Sequence, residues 1–487
     1  MKNTYKDKTA DKVVIHIASE AVPYSKAGGL GDVVGTLPLK MIEKRPNYSC
    51  IVFTPYYDGM KGNIKRLGAY EVEFGNVAYK YEVFAATNMG IKYRFIKMDS
   101  AFALDNIYVD GSKPYMVDVG LEYFFLGKCI TDYLKKSNVN PNVWITHDWH
   151  AAGIYGFIGK CHSIHVIHNY NHQGQLYHDI IPYLDSDVRQ KAREIYEETH
   201  NITMNSFAIK MAEKIVTVSP SYAEELKNKK IAHPGLDLFD IYNKDVTGII
   251  NGVDYKKWNP AFSVEDFMEA KRKKKKQVKR KYGINTEGER PLLLMMSRLT
   301  HQKGIDFFVN LHNKLEFDIY ERFKRLLNIG YDIIICGVPS GGIGGDIDTQ
   351  LKLLANRYPD NFAYLNFYND NMAKELLSGA DFLFHLSNYE PCGLTPMYAM
   401  RFGAIPIVGN TGGLKDIVTD CFEAEPVSDG FIMKSSEYDY VEEKLKEIKE
   451  VFCNRDAFNA IRIRGIKKKF DWDESVAQYC ELIDKIS

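Results

Sequence analysis

The residues with the most chemistry to offer stand in short clusters, each directly after an apolar run. Lys26-Ala27-Gly28-Gly29-Leu30-Gly31-Asp32 follows the run that begins at Val13. Glycines let a backbone approach a ligand, a helix opening there presents free N–H groups with positive partial charge, and Lys26 adds a full charge, so the loop suits an anion. Its spacing is not G-x-G-x-x-G, so no dinucleotide fingerprint is present, and taken alone it is as readily a tight strand-to-helix turn. His147-Asp148-Trp149-His150 ends a second apolar run, and His168-Asn169-Tyr170-Asn171-His172-Gln173-Gly174 ends a third. In Ser297-Arg298-Leu299-Thr300-His301-Gln302-Lys303-Gly304, Arg298 can grip a diphosphate as a bidentate fork and Lys303 as a point charge, although either alone could equally be a surface cation. In Tyr389-Glu390-Pro391-Cys392-Gly393-Leu394-Thr395-Pro396, Pro391 and Gly393 fit a sharp turn into a helix whose N–H groups can receive phosphate oxygens, with Glu390 projecting beside it. Asn410-Thr411-Gly412-Gly413-Leu414 is a further Gly-rich turn.

No metal is expected. His147, His150 and His172 lack the H-E-x-x-H helix spacing, and the Asp-x-Asp triplets at 185/187, 346/348 and 471/473 occur at the rate composition alone produces. Cys392 stands where a helix start would lower a thiol pKa, but no histidine lies in the adjoining turn, so it reads as a residue lining a pocket rather than a covalent catalyst.

The elements that must position these clusters are legible as Val- and Ile-rich runs at 13–19, 51–55, 143–147, 164–168 and 215–219, typical of buried parallel strands. Helical stretches lie between several of them, Asp32 to Lys44 after the first and Asn201 to Glu213 before the last. The pattern restarts at 292–297, 332–337, 382–387 and 405–409, which predicts an α/β protein of two tandem Rossmann-like, doubly wound domains. In such sheets ligands bind beyond the carboxyl ends of the strands, where every one of these clusters lies. The joint is expected near residue 250, at the turn signal Asn251-Gly252, giving domains 1–250 and 251–460 followed by an amphipathic C-terminal helix within 461–487. The run KRKKKKQVKRK at 271–281 repels itself and is expected to form a solvated helix face rather than a nuclear signal or an anion patch.

The chain of 487 residues, 45% hydrophobic and 26% charged, is too long for one small module and too apolar to be disordered. Lys+Arg 63 balances Asp+Glu 63, so no global field draws it to nucleic acid or an anionic membrane, and neither partner is expected. Eight cysteines without a C-x-x-C pair suggest neither a disulfide framework nor a zinc site and fit a reducing compartment. The polar start MKNTYKDKTADK leads into an apolar stretch, Val13 to Ile17, too brief for a signal sequence, and no window approaches the roughly 20 apolar residues of a membrane span. A cytoplasmic location is expected.

The ordered set K-x-G-G-L, H-D-W-H, H-N-x-x-x-Q-G, N-G-V-D, S-R-L-x-x-Q-K-G, E-P-C-G-L-T and T-G-G-L, from Lys26 to Leu414, resembles the bacterial glycogen synthase and plant starch synthase family; an F-x-W segment extends the match to Trp472. The resemblance implies a GT-B fold, two Rossmann-like domains facing a central cleft, and transfer of glucose from a nucleotide sugar to the non-reducing end of an α-1,4-glucan with retention of configuration. It implies ADP-glucose as the usual donor, with UDP-glucose as the alternative, an α-glucan acceptor and no cofactor. Carried onto this sequence, Lys26 and Gly29 would sit at the diphosphate, and Asp148 and His168 would border the glucose and acceptor. Arg298 and Lys303 would neutralise the leaving group, and Glu390 would bind sugar hydroxyls. Gly393, Leu394 and Thr395 would donate N–H groups to phosphate, Cys392 would line the pocket, Asn251 would brace the cleft, and Trp472 would take a hinge role in a helix crossing back to the first domain.

Elementary chemistry agrees, since breaking a glycosyl phosphate leaves negative charge on the phosphate that cations stabilise. Asp148 and Glu390 are the carboxylates a double-displacement route would use, and front-side attack is the favoured alternative. Four features depart from the family pattern: Ala27 in place of a hydroxyl residue, Pro396 after E-P-C-G-L-T, the loop Val338 to Asp346, and a short 105–135 segment. The competing readings are a sucrose- or trehalose-pathway glycosyltransferase of the same fold, an NAD-dependent hydride-transfer enzyme, and a glucan-binding or regulatory protein without catalysis.

Overall fold

The computed structural model describes residues 12–104, 107, 117–176, 178–229, 235, 237–260, 262, 266–309, 319–340, 344–424 and 426–487. The expectations for the N-terminal segment, for most of 105–116 and for 341–343 of the loop after Val338 fall outside these residues. The chain forms two compact units, one of residues up to Asn251 together with Trp472–Ser487, the other of Gly252–Asp471.

In the first unit the strands are β1 (Lys12–Ile17), β2 (Tyr48–Pro55), β3 (Lys65–Phe74), β4 (Val77–Asn88), β5 (Ile91–Lys97), β6 (Val143–His147), β7 (Ser163–Ile167), the short antiparallel pair β8 (Gln175–Leu176) and β9 (Ile202–Thr203), β10 (Lys214–Thr217) and β11 (Val246–Gly248). The main sheet runs β11-β10-β7-β6-β1-β2-β5-β4-β3, parallel except where β4 pairs with β5 and β3. β6 and β7 are buried at every position, as strands covered on both faces must be. β3 and β4 mix exposed and buried positions and are not apparent as apolar runs.

The second unit contains β12 (Leu292–Met296), β13 (Asp332–Cys336), β14 (Phe362–Leu365), β15 (Phe382–His385), β16 (Ile405–Gly409) and β17 (Phe431–Met433), all parallel in the order β14-β13-β12-β15-β16-β17. The strand order reverses between β1 and β6 in the first unit and between β12 and β15 in the second, and crevices open beyond the carboxyl ends of strands at such switch points. The Lys26, Asp148, Arg298 and Glu390 clusters all follow these four strands.

Two expectations are corrected. The division at 460 falls inside the helix Arg455–Lys467; the chain returns to the first unit at Trp472, and Asn251 closes that unit rather than opening the second. Trp472 begins the helix Trp472–Ile486, whose Ser475 Oγ donates to the Ile250 carbonyl at 2.6 Å and whose Asp484 receives Arg45 Nη2 at 3.3 Å and the Tyr48 hydroxyl at 3.1 Å.

The basic run is not simply a solvated face. It forms the helix Phe267–Lys281, in which Lys271 and Lys279 are each 2% exposed. Lys271, Lys275 and Lys279 recur every four residues and so share one face. Lys271 Nζ donates to the Leu377 and Ala380 carbonyls at 2.9 and 2.5 Å. Lys275 meets Asp381 at 2.5 Å and Lys279 meets Asp332 at 2.7 Å, while Arg462 and Arg290 take the other oxygens of those carboxylates. Asp381 is buried, but Lys275 and Arg462 bring its carboxyl down to about 2. Opposite charge supplied by the amino ends of β13 and β15 makes the burial tolerable.

Candidate active site

In the first unit, β1 ends and the chain passes through Glu20, which is fully buried. Its carboxylate accepts the N–H of Ala27 and that of Gly28, the latter at 3.0 Å, directly before the helix Gly29–Lys44. Gly28 holds the N-cap position without a side chain to cap the helix, and Glu20 ties down the approach instead. A Cβ on Gly31 would lie 3.1 Å from Glu20 Oε2, so the helix start seats closely on this carboxylate. Lys26 pairs with Asp32 at 2.7 Å. The loop expected to receive an anion thus has two of its N–H groups and its lysine already engaged by carboxylates; the first N–H groups of the helix, from Gly29 onward, are what it offers beyond them.

Asp148 follows β6 in a left-handed conformation, φ 57°, and its Oδ1 accepts the N–H of His168 at 2.7 Å and of Asn169 at 3.2 Å. One carboxylate therefore ties the carboxyl end of β6 to that of β7. Burial pushes the Asp148 carboxyl up to about 7 against the pull of these two N–H groups, and the Glu20 charge adds to the rise. Beside it runs a chain of imidazoles, with His168 Nε2 3.0 Å from His147 Nδ1 and His147 Nε2 3.3 Å from His16 Nδ1. Burial lowers His16 and His168 to about 3 and His147 well below its ordinary range, so all three are neutral at pH 7. His150 packs between Trp149, stacked at 3.9 Å, and Tyr123. No group of three His, Cys, Asp or Glu among the described residues is arranged to hold a metal ion. Asn251 is buried, and its Oδ1 has no hydrogen-bond partner among the described residues.

In the second unit Glu390 is the centre. Its Oε2 accepts from Lys303 Nζ, from His385 Nε2 at 2.9 Å and from Ser387 Oγ at 3.0 Å. Burial opposes its charge, but Lys303, and after it His385, hold the Glu390 carboxyl well below the usual carboxylate range. The loops after β12 and β15 are laced together, Asn388 N–H to the Gln302 carbonyl at 2.9 Å and Asn388 Nδ2 to the His301 carbonyl at 2.8 Å. Gly393 precedes the helix Leu394–Arg401 at φ 103°, where a Cβ would stand 2.8 Å from Leu414, and no side chain caps that helix. Leu394 and Thr395 are its half-buried first residues, and Cys392 is buried, with its carbonyl oxygen where a Cβ on Gly413 would collide with it. Arg298 is exposed, and its guanidinium has no partner among the described residues. Lys303 and Glu390, expected to act on different parts of a substrate, are thus ion-paired. Sequence reasoning missed Glu20, His16, His385 and Ser387; only the position of Glu20, shortly after a strand at a switch point, could have signalled it.

A family model described as starch synthase catalytic domain matches residues 13–239, and one described as glycosyl transferases group 1 matches 274–457. Glycogen synthase of Lactococcus lactis is 28% identical, over 97% of this chain and 100% of its own length. The chain belongs to the glycogen synthase and starch synthase family. The Treponema denticola glycogen synthase is 27% identical over 96% of this chain and 97% of its own. The catalytic domain of starch synthase IV from Arabidopsis thaliana, solved bound to ADP and acarbose, superposes with a TM-score of 0.83 at 24% identity, covering 97% of this chain and 99% of that one. A sucrose-phosphate synthase from Thermosynechococcus elongatus follows at TM-score 0.61 and 14% identity, over 97% of this chain and 98% of that one, so that rival reading shares the fold. The fold is GT-B, and the protein is a glycosyltransferase of glycogen or starch synthesis. Among the described residues no helix is long and apolar enough to cross a membrane.

Proposed function

We propose that this synthase transfers glucose from ADP-glucose to the non-reducing end of an α-1,4-glucan with retention of configuration. The observation that carries the reading is the grouping, at the switch point of the second unit, of Arg298, Lys303 and the uncapped helix start Gly393-Leu394-Thr395. Cations and free N–H groups are what a departing diphosphate requires. The starch synthase IV structure, which holds ADP, supports an adenine nucleotide. Glu390 binds sugar hydroxyls, and its carboxylate, with Lys303, His385 and Ser387 all on Oε2, is held as a weak base. That makes it a poor nucleophile and a good fixed negative charge opposite a developing oxocarbenium ion, which favours front-side attack with the leaving phosphate oxygen taking the acceptor proton. In the first unit Asp148 and His168 serve the glucose and acceptor hydroxyls, Lys26 and Gly29 the diphosphate. Protein cations take the charge-neutralising role, so no cofactor is required, and eight cysteines without a C-x-x-C pair suit a reducing cytoplasm.

Initial rates of labelled glucose incorporation into glycogen and maltooligosaccharides, with ADP-glucose and UDP-glucose in parallel, test this. Incorporation from ADP-glucose that collapses in Glu390→Ala and Lys303→Ala is expected. A preference for UDP-glucose overturns the donor assignment, a trapped glucosyl adduct on Glu390 overturns front-side attack, and glucan binding without incorporation from either donor points to a regulatory protein.

A further inference from the structure

We infer that His16 and His147 are positioning residues that set the tautomer of His168, so that His168 meets a sugar hydroxyl as a hydrogen-bond donor at Nδ1. The inference rests on the reading that His168 borders the sugar. His16 lies within β1, His147 ends β6 and His168 follows β7, and these three strands are neighbours in the sheet. The two imidazole contacts, 3.0 and 3.3 Å, form one line of hydrogen bonds that crosses the carboxyl ends of the strands, from β1 over β6 to the residue after β7. His16 and His147 are fully buried.

Three neutral imidazoles in line admit two arrangements, because each carries one N–H and each contact needs one donor. In the first, His168 Nε2–H donates to His147 Nδ1 and His147 Nε2–H donates to His16 Nδ1, which leaves His16 Nε2–H as the terminal donor. In the second, His16 Nδ1–H donates to His147 Nε2 and His147 Nδ1–H donates to His168 Nε2, which leaves a bare lone pair on His16 Nε2. The inner end of the line decides between them. His16 Nε2 is buried and has no hydrogen-bond partner among the described residues. An orphaned N–H in a protein interior is rarer than an orphaned acceptor. The second arrangement therefore holds, and the proton of His168 resides on Nδ1. Burial keeps all three rings uncharged, so no imidazolium upsets the order.

A hydroxyl that accepts from His168 must point its own hydrogen elsewhere, so the buried end of the line dictates the orientation of a substrate O–H. The opposite tautomer would accept that hydrogen and turn the hydroxyl round.

The test is a long-range ¹H–¹⁵N correlation spectrum of the full-length protein labelled with [¹⁵N]histidine, assigned with His16→Asn and His168→Asn. All three rings are expected with the proton on Nδ1; a proton on Nε2 of His168, or a charged ring, overturns the inference. This readout needs no destabilising variant. In kinetics, His16→Asn carries an amide where the imidazole Nδ1 stood and should stay within about twofold of wild type. His16→Leu should lower kcat about three- to tenfold, the scale of one neutral hydrogen bond, and let His168 populate both tautomers. Unchanged kcat in His16→Leu with His168 still protonated on Nδ1 overturns the coupling. An unchanged rate in His168→Ala overturns the sugar contact instead, while the spectra continue to decide the tautomer order.

Discussion

Acidification offers a quantitative test of how the first unit is built. His16, His147, His150 and His165 are buried and His168 is half-buried, and desolvation lowers all five, to about 3 for four of them and well below the ordinary range for His147. In the unfolded chain each titrates near 6.5. As pH falls below that value the unfolded state takes up protons that the native state refuses, so stability is present above pH 6.5 and is lost on going down. Between pH 7.5 and 5.5 each group costs somewhat over about 1 kcal/mol and the five together about 7 kcal/mol. Asp148 works the other way: its native carboxyl, up at about 7, is protonated by pH 5.5 while the unfolded one is not, which returns about 2 kcal/mol. The net loss of about 5 kcal/mol is comparable with the entire stability of many domains. Urea titrations at the two pH values, with hydrogen exchange of peptides from β1, β6 and β7 corrected for intrinsic rates, should show a large drop in midpoint and in protection. Equal midpoints and equal protection would mean that the native histidines accept protons as readily as unfolded ones, and would refute the neutral, buried line of imidazoles.

Three further outcomes follow from the geometry. Lys279→Met leaves the buried Asp332 carboxylate short of a cation and should cost about 3–5 kcal/mol in urea denaturation, whereas Lys274→Met on the exposed face of the same helix should stay within about 0.5 kcal/mol. Glu20→Ala strands the N–H groups of Ala27 and Gly28 and should destabilise by about 2–3 kcal/mol, read as a lower Tm with faster exchange confined to residues 26–31. Gly393→Ala forces a side chain into φ 103° and against Leu414; a loss of more than about 1 kcal/mol and a fall in activity are expected, checked by calorimetry and initial rates.

Parallel strands covered on both faces write themselves as unbroken apolar runs, and for that reason VWITH, SIHVI, LLLMM and DIIIC were legible as strands and the polar clusters after them as sites. β3 and β4 were not, because their half-exposed pattern lacks such a run. His16 was invisible for the opposite reason: inside KVVIHI a histidine reads as one more core residue, and only the fold brings β6 and β7 alongside to complete the line. The basic run misled because its neutralising partners are far away in sequence. Asp332 and Asp381 lie at the starts of strands that become neighbours of the helix only after folding. Glu390 was found as a motif residue, but of its partners His385 ends the preceding strand and Ser387 stands two residues beyond it, and neither carries a signal of its own.

The return of the chain to the first unit at Trp472 also sets an order of events during synthesis. The ribosome has made residues 252–471, the whole of the second unit, before it makes the helix Trp472–Ile486 that buries Trp472, Val476, Tyr479, Cys480 and Ile483 in the first. The unit begun first is thus finished last. Until that helix emerges, the docking surface around Ile250, Arg45 and Tyr48 stays uncovered on a growing polypeptide, and the second unit, continuous in sequence, can complete its own folding in the meantime. A ribosome stalled or terminated early within the last turns would release a chain with a finished second unit and an unfinished first.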